Sequence, residues 1–191
     1  MRRGVLQVAV SLKDARGEPS GRRWLEANYR DYLDDLAPDG TGHFPVLGEV
    51  GHTGSDQVAR WFADRSAQIL LIQADGQSTG FAMVSRGAAA GTFAGSRAVD
   101  YRMAEFFIAR PHRRRGIGRT AVPLILDRFA GRWEIQESLR NAAAVSFWRR
   151  TVARYTGGRY QERVANGEVR QTFVSGRPRP LSAGALPTAS R

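Results

Sequence analysis

The chain contains no cysteine, which excludes disulfides, thiolate nucleophiles and cysteine-bound zinc. That absence fits a reducing compartment. Lysine is nearly missing too: of 29 basic residues, Lys13 alone is a lysine and the rest are arginines. No Gly-Lys-Ser/Thr occurs, so a Walker A loop is excluded. The three histidines, His43, His52 and His112, are scattered without metal-ligand spacing, and no metal site is expected. No apolar run approaches the length of a membrane span. The Met1–Val10 stretch turns polar too soon for a signal peptide. The expectation is a cytoplasmic protein with no membrane partner.

What is present suits a soluble globular chain. It has 191 residues, of which 42% are hydrophobic and 25% charged, enough to bury a real core in one domain. The formal net charge is +11. Arginine forks phosphate oxygens in bidentate fashion. An anionic cofactor, nucleic acid or an acidic substrate would therefore suit this chain. A solvated surface accounts equally well for the arginines outside residues 110–119.

Periodicity sets out the elements. Residues 5–11 read as a first strand. Over 20–36, Leu25, Tyr29, Tyr32, Leu33 and Leu36 recur at spacings that define one helix face. A shorter helix is expected near 55–65, with Ser55 as its cap and Val58, Trp61 and Phe62 as its buried stripe. Ile69–Ile72 and Phe81–Val84 flank Asp75-Gly76 and read as a hairpin. Residues 87–96 are Gly/Ala-rich and read as a mobile loop. A strand over 100–109 is stopped by Pro111. The next helix places Ile117, Ala121, Leu124, Ile125 and Phe129 on one face, with Pro123 as an early defect. Trp133–Gln136 is a short strand. Asn141 caps a further helix with Ala144, Val145, Trp148 and Val152 inward, and Tyr155 lies beyond it. Strands at 158–165 and 168–174 meet at Asn166-Gly167. Residues 176–191 lack a periodic apolar face and read as a disordered tail, leaving 1–175 as a single domain. Strands mixed with crossovers in this order make an α/β fold with a mixed sheet.

Chemistry concentrates in Phe106–Arg119, where a buried strand ends, an arginine- and glycine-rich loop follows, and a helix begins. Helix N-termini present free N–H groups and partial positive charge. Glycines let a phosphate approach that backbone. Arg110, Arg113, Arg114, Arg115 and Arg119 surround Gly116 and Gly118, a cradle suited to a pyrophosphate. The stretch also fits a solvated basic loop that needs its glycines to turn. Gly116-Ile117-Gly118-Arg119-Thr120-Ala121 matches the dinucleotide fingerprint, with Glu134 near its acidic position. That fingerprint puts its first glycine at the strand end, whereas Pro111 and a run of arginines intervene here.

Arg113-Arg114-Arg115-Gly116-Ile117-Gly118 resembles the Arg/Gln-x-x-Gly-x-Gly/Ala signature of the GNAT acetyltransferases. Asn141-Ala142-Ala143-Ala144-Val145-Ser146-Phe147-Trp148 resembles the family's Asn-x-x-Ala-x-x-Phe-Tyr helix, and Gly80–Val84 its third strand. The resemblance spans residues 60–175. Glu-Phe-Phe-Ile, Gly-Arg-Trp-Glu and Phe-Trp-Arg-Arg are also similar to an uncharacterised bacterial branch of predicted acetyltransferases. The resemblance implies a mostly antiparallel mixed sheet of about seven strands flanked by helices, and a transferase that moves an acetyl group from acetyl-CoA to an amine. It implies direct attack in a ternary complex, no metal, and a domain that can pair as a homodimer.

Residue by residue, the resemblance implies that the backbone of Phe107 and Ile108 pairs with the pantetheine arm of coenzyme A. The N–H groups of Arg114, Arg115, Gly116, Ile117, Gly118 and Arg119 hold the pyrophosphate, and Arg113 and its neighbours add charge. Asn141 lies beside the cofactor arm as well as capping its helix. Trp148 departs from the family, which often has a tyrosine there to protonate the leaving thiolate. An indole N–H donates a hydrogen bond but is no practical acid, so Trp148 is read as cofactor or core packing. Glu105, flanked by Ala104 and Phe106-Phe107, is the candidate base, because desolvation raises a carboxyl toward the range for accepting an amine proton. Its rival role is an ion pair with Arg102 or Arg86. Tyr29, Tyr32, Trp61 and Phe62 are read as core. Two other functions stay open: a basic nucleic-acid-binding module, which the lack of any helix-turn-helix or zinc pattern counts against, and a degenerate domain that binds coenzyme A without turnover.

Overall fold

In the computed structural model, residues 8–36, 54–87 and 98–176 are described. They form β1 (Val10–Asp14), α1 (Pro19–Leu36), α2 (Gly54–Ala63), β2 (Gln68–Ala74), β3 (Gln77–Arg86), β4 (Tyr101–Ile108), α3 (Ile117–Arg128), β5 (Gly131–Ser138), α4 (Ala142–Thr156), β6 (Gln161–Ala165) and β7 (Glu168–Ser175). The strands join one sheet in the order β1-β2-β3-β4-β5-β7-β6. Every pairing is antiparallel except β4 with β5. This is the expected mixed, mostly antiparallel α/β sheet.

Two hairpins follow directly from local chemistry. Asp75 and Gly76 have φ of 49° and 80°, and Asn166 and Gly167 have 53° and 78°. Both pairs give the left-handed turn whose twist matches the strands it joins. Helix α1 begins with Pro19 at a position where the missing N–H costs nothing. It buries Leu25, Tyr29 and Tyr32 against the sheet. Gly21 lets it lie close: a Cβ there would sit 2.4 Å from Leu71 Cδ1.

The sheet is buried on both sides. Leu70 and Ile72 of β2 face one core with Ile117, Ile125 and Trp148 from α3 and α4. Ile69 and Leu71 face a second core with Leu25, Tyr29 and Tyr32 from α1. Each such side chain taken fully out of water stabilises the fold by about 2 kcal/mol. Among the described residues, no helix is long and apolar enough to cross a membrane.

Several boundaries differ from the sequence reading. β1 runs on past the expected end at Ser11, because its register against Leu70–Ala74 carries it through Lys13 and Asp14; residues 5–7 of the expected strand lie outside the described residues. As an edge strand it turns Val10 and Leu12 toward the core and leaves Ser11 and Lys13 exposed. Leu124 is 40% exposed, and Val122 and Leu126 are buried in its place, since the buried arc of α3 runs through Ile117, Ala121 and Ile125. Pro123 stays inside α3. β5 extends to Gly131 and Ser138 because β7 pairs with it along that whole length. Tyr155 lies within α4. His43, His52, the Ser55 side chain, residues 88–96 of the Gly/Ala-rich stretch and the tail after Gly176 lie outside the described residues.

Candidate active site

β4 and β5 share only three register pairs: Tyr101↔Trp133, Arg102↔Glu134 and Met103↔Ile135. β4 stays bonded to β3 as far as Ile108, and β5 to β7 as far as Ser138. The parallel pair therefore opens into a wedge, and the facing backbone edges lose their sheet partners there. A cleft of about 1190 Å³ opens here, lined from β4, β5, the loop before α3, and α4.

A second irregularity aims the side chains. Met83 of β3 pairs with Glu105, but Val84 pairs with Met103, so Ala104 is an extra residue. Such a β-bulge reverses the alternation beyond it. Met103 points into the core under α3 and α4, whereas Phe107 belongs to the core under α1. Glu105, two residues before Phe107, shares that α1 face.

Glu105 is 4% exposed. Its expected arginine partners lie elsewhere. Arg102 Nε is 2.9 Å from Glu134, and the Arg86 guanidinium lies over the Tyr101 ring at 5.1 Å. The neighbours of Glu105 are the hydroxyls of Tyr32 and Tyr29. The Tyr29 hydroxyl makes no hydrogen bond of ordinary geometry, so the closer tie is to Tyr32. Burial pushes the Glu105 carboxyl up to about 7, against the two phenols, which lower it, and Glu137 raises it further. Both phenols are themselves pushed upward, first by burial and then by Glu105, so they remain protonated donors. These two tyrosines belong to the core, as read from the sequence, and also set the surroundings of the carboxyl.

Sequence reading missed a second carboxyl in the cleft. Trp133 and Ile135 of β5 enter the α3/α4 core, and Glu137 follows in alternation on that face. The Trp148 indole lies beside it. Burial raises Glu137 to about 7, with Trp148 acting in the opposite direction. Ending β5 at Gln136 hid it. The alternation Trp133, Ile135, Glu137 was the available signal.

The loop between β4 and α3 is shaped by charge and by backbone. Arg113 Nε donates to the Ile108 carbonyl at 2.7 Å, and its guanidinium bonds Asp35 of α1. Arg110 reaches the same carboxylate at 2.9 and 3.1 Å. These two arginines tie the loop to α1 and are not free for an anion, a correction to the reading of five arginines around the cradle. Arg115 is exposed and does not line the cleft. Arg114 and Gly116 adopt φ of 61° and 82°. Such left-handed steps in a loop turn successive N–H groups to one side. Thr120 N donates to the Gly116 carbonyl. The N–H groups of residues 114–119 donate to no backbone carbonyl among the described residues. Arg114, Arg119, Arg140 and Arg154 line the cleft, are exposed and form no ion pair among the described residues.

Helix α4 closes the cleft. Asn141 Oδ1 accepts from Ala144 N at 3.0 Å, capping the helix, and the residue also lines the cleft. Phe147 stacks on Phe106 at 5.7 Å, and Trp148 meets Phe106 edge-on at 5.3 Å. Trp148 is 3% exposed, so it packs the core while its edge reaches the cleft. Thus Glu105, Phe107, Ile108, Arg113, Arg114, Gly116, Ile117, Gly118, Arg119, Asn141 and Trp148 converge on one cleft.

No curated protein sequence matches this chain. Solved structures share its fold at low identity. The GNAT domain of S. lividans PAT is 15% identical, with a TM-score of 0.58 over 87% of this chain and 90% of that one. An acetyltransferase from Thermus thermophilus is 16% identical, with a TM-score of 0.55 over 89% and 98%. A ribosomal-protein-alanine N-acetyltransferase from Brucella melitensis is 14% identical, with a TM-score of 0.55 over 87% and 99%. The model of the acetyltransferase (GNAT) family matches residues 29–152, a segment that holds the C-terminal part of α1, the wedge, the N–H row and most of α4. The chain belongs to the GNAT acetyltransferase family.

Proposed function

We propose that this chain transfers an acetyl group from acetyl-CoA to an amine by direct attack in a ternary complex. One observation carries the reading: the N–H row of residues 114–119 heads α3 and opens into the same wedge as a buried carboxyl that has no cation partner among the described residues. A helix N-terminus with free donors suits a pyrophosphate, and Arg114 and Arg119 add charge beside it. The unpaired edge of β4 at Phe107 and Ile108 suits an extended, amide-bearing arm, which can bond there as an added strand does. Asn141 offers its side-chain amide to the same arm.

Acetyl-CoA supplies, when bound, an activated thioester. The chain's own task is to bring a neutral amine to it and to take up the amine proton. Glu105 does the second. It lies on the α1 face, where Tyr32 and Leu36 also line the cleft, and the acceptor enters from that side. With a carboxyl raised to about 7, Glu105 is poised to accept a proton near neutrality. The Tyr32 hydroxyl beside it helps keep it in one place, and positioning supplies much of the rate.

Calorimetry of acetyl-CoA at two salt concentrations tests this, with Gly118→Trp as the control. The added indole would crowd Phe147 and Phe106, which already stand 3.4–3.5 Å from a Cβ at that position. Micromolar binding lost in the variant, followed by thiol release with members of an amine panel, is the expected result. No binding at either salt overturns the proposal.

A further inference from the structure

We propose that Glu137, which lines the cleft beside the Trp148 indole, protonates the departing coenzyme A thiolate. The inference rests on the acetyl transfer proposed above and assigns it the acid that the chain otherwise lacks. Position 148 has an indole where the resemblance led one to expect a phenol, and an indole cannot give up its proton at neutral pH. Beside it in the cleft stands the Glu137 carboxyl instead.

The two carboxyls stand on opposite faces of the sheet. The Ala104 bulge turns Glu105 toward α1, beside Tyr32. Unbroken alternation after Trp133 and Ile135 turns Glu137 toward α4, beside Trp148. Between them the β4–β5 wedge is open. The face of Glu137 is also the face of α3, whose N-terminus carries the N–H row. An acceptor entering beside Glu105 and a cofactor lying under α3 and α4 would meet in the wedge. The amine proton would then leave on one side and the thiolate would collect its proton on the other.

The other groups of the cleft do not fit this role. Its cations Arg113, Arg114, Arg119, Arg140, Arg150 and Arg154 are all exposed, and guanidinium does not release a proton. Tyr32 is committed to Glu105. His112 sits in the loop ahead of α3, on neither strand of the wedge. Tyr155 donates to Asp127 at 2.7 Å and does not line the cleft.

The step balances. The amine nitrogen bonds the acetyl carbon, the carbon–sulfur bond breaks, and its electron pair leaves on sulfur. The amine proton goes to the Glu105 carboxylate, and the Glu137 proton goes to sulfur. An amide and a thiol are formed, and exchange with water resets both carboxyls. The starting state holds one proton between two groups that feel each other. Such pairs titrate together. Burial and the Trp148 indole act on Glu137 from its own face, and Glu105 and Tyr32 face it across the wedge.

The test uses the full chain and an amine that the native protein acetylates. Glu137→Gln should lower kcat by about 100-fold or more, the usual contribution of a general acid. It should erase the fall of kcat at high pH and leave calorimetric acetyl-CoA affinity within about twofold, the same order as measurement scatter. Adding Trp148→Tyr to Glu137→Gln should restore at least about tenfold, since a phenol can donate the proton. The same tyrosine should not rescue Glu105→Gln. If Glu137→Gln keeps kcat within about threefold of native, with the high-pH limb intact, the inference is overturned. Failure of the native chain to bind acetyl-CoA would instead overturn the transfer reaction itself.

Discussion

The β4–β5 junction has a closed half and an open half, and each holds a carboxyl that is 4% exposed. In the closed half, Glu134 lies 2.9 Å from Arg102 and 3.6 Å from Arg170, linking three adjacent strands. In the open half, Glu105 meets two phenols and, among the described residues, no cation. Burying a carboxylate costs several kcal/mol unless a counter-charge offsets it. Two guanidinium groups make Glu134 a strut. Hydroxyls alone leave the protonated form of Glu105 competitive, so it can trade a proton near neutrality. Equal burial therefore does not give equal function. What differs is whether the neighbouring strand is still paired and has an arginine to offer.

The sharpest way to break this contrast is to neutralise both carboxyls in turn. Glu105→Gln should lower kcat by about 10²–10⁴-fold, the range for losing a general base, with acetyl-CoA affinity intact by calorimetry. Glu134→Gln should leave the chemistry within about threefold, since it faces no reacting group. A Glu105 variant with native kcat would remove the distinction between the two halves.

The pH dependence should differ as well. Glu105 works as a carboxylate and its carboxyl lies near 7, so native kcat/KM should rise with pH through that value. Under Glu105→Gln the rise should vanish, and a rate profile on an amine acceptor reads this directly.

A smaller effect is on stability. Glu134→Gln leaves two guanidinium groups without their partner and should cost about 2–3 kcal/mol, toward the low end for a broken buried pair because both arginines reach solvent. Thermal melts at pH 5 and pH 8 should both show the loss. Glu105 behaves in the opposite sense. Its carboxyl is raised from 4.5 to about 7 in the fold, so its contribution is full below 4.5 and is lost as pH rises through 7. Glu105→Gln should thus be at least as stable as native at pH 8, and its melting temperature should vary less between the two pH values.

The smallest effect should come from Asp35→Ala. It releases Arg110 and Arg113 from α1, yet these pairs are largely exposed and solvent screening leaves them weak. A few-fold weaker acetyl-CoA binding by calorimetry is expected. A loss as deep as that of Gly118→Trp would mean that the tie to α1, and not the N–H row, holds the loop in shape.

Much of the frame was legible in the residues. The Asp75-Gly76 and Asn166-Gly167 turns, the Asn141 cap and the inward stripe of α4 all follow from chemistry within a few positions. So does the glycine loop at the head of α3. Glu105 was legible as the candidate base among aromatics, but its tyrosine partners were not, because they come from α1, some seventy positions earlier. Glu137 was not legible, because the end of β5 is set by β7 and not by its own polar residues. Arg113 looked like a free cation until Asp35 claimed it.

By itself the sequence determined the elements, their order and the loop that carries the N–H row. These depend on φ preferences, capping and apolar period, all of which act over one or two turns of chain. The tertiary structure alone decided where β4 and β5 part and that Ala104 is the extra residue. It also decided which buried carboxyl finds an arginine and which finds a phenol or an indole. Those outcomes depend on register between strands far apart in the chain, and a shift of one residue there moves a side chain to the opposite face.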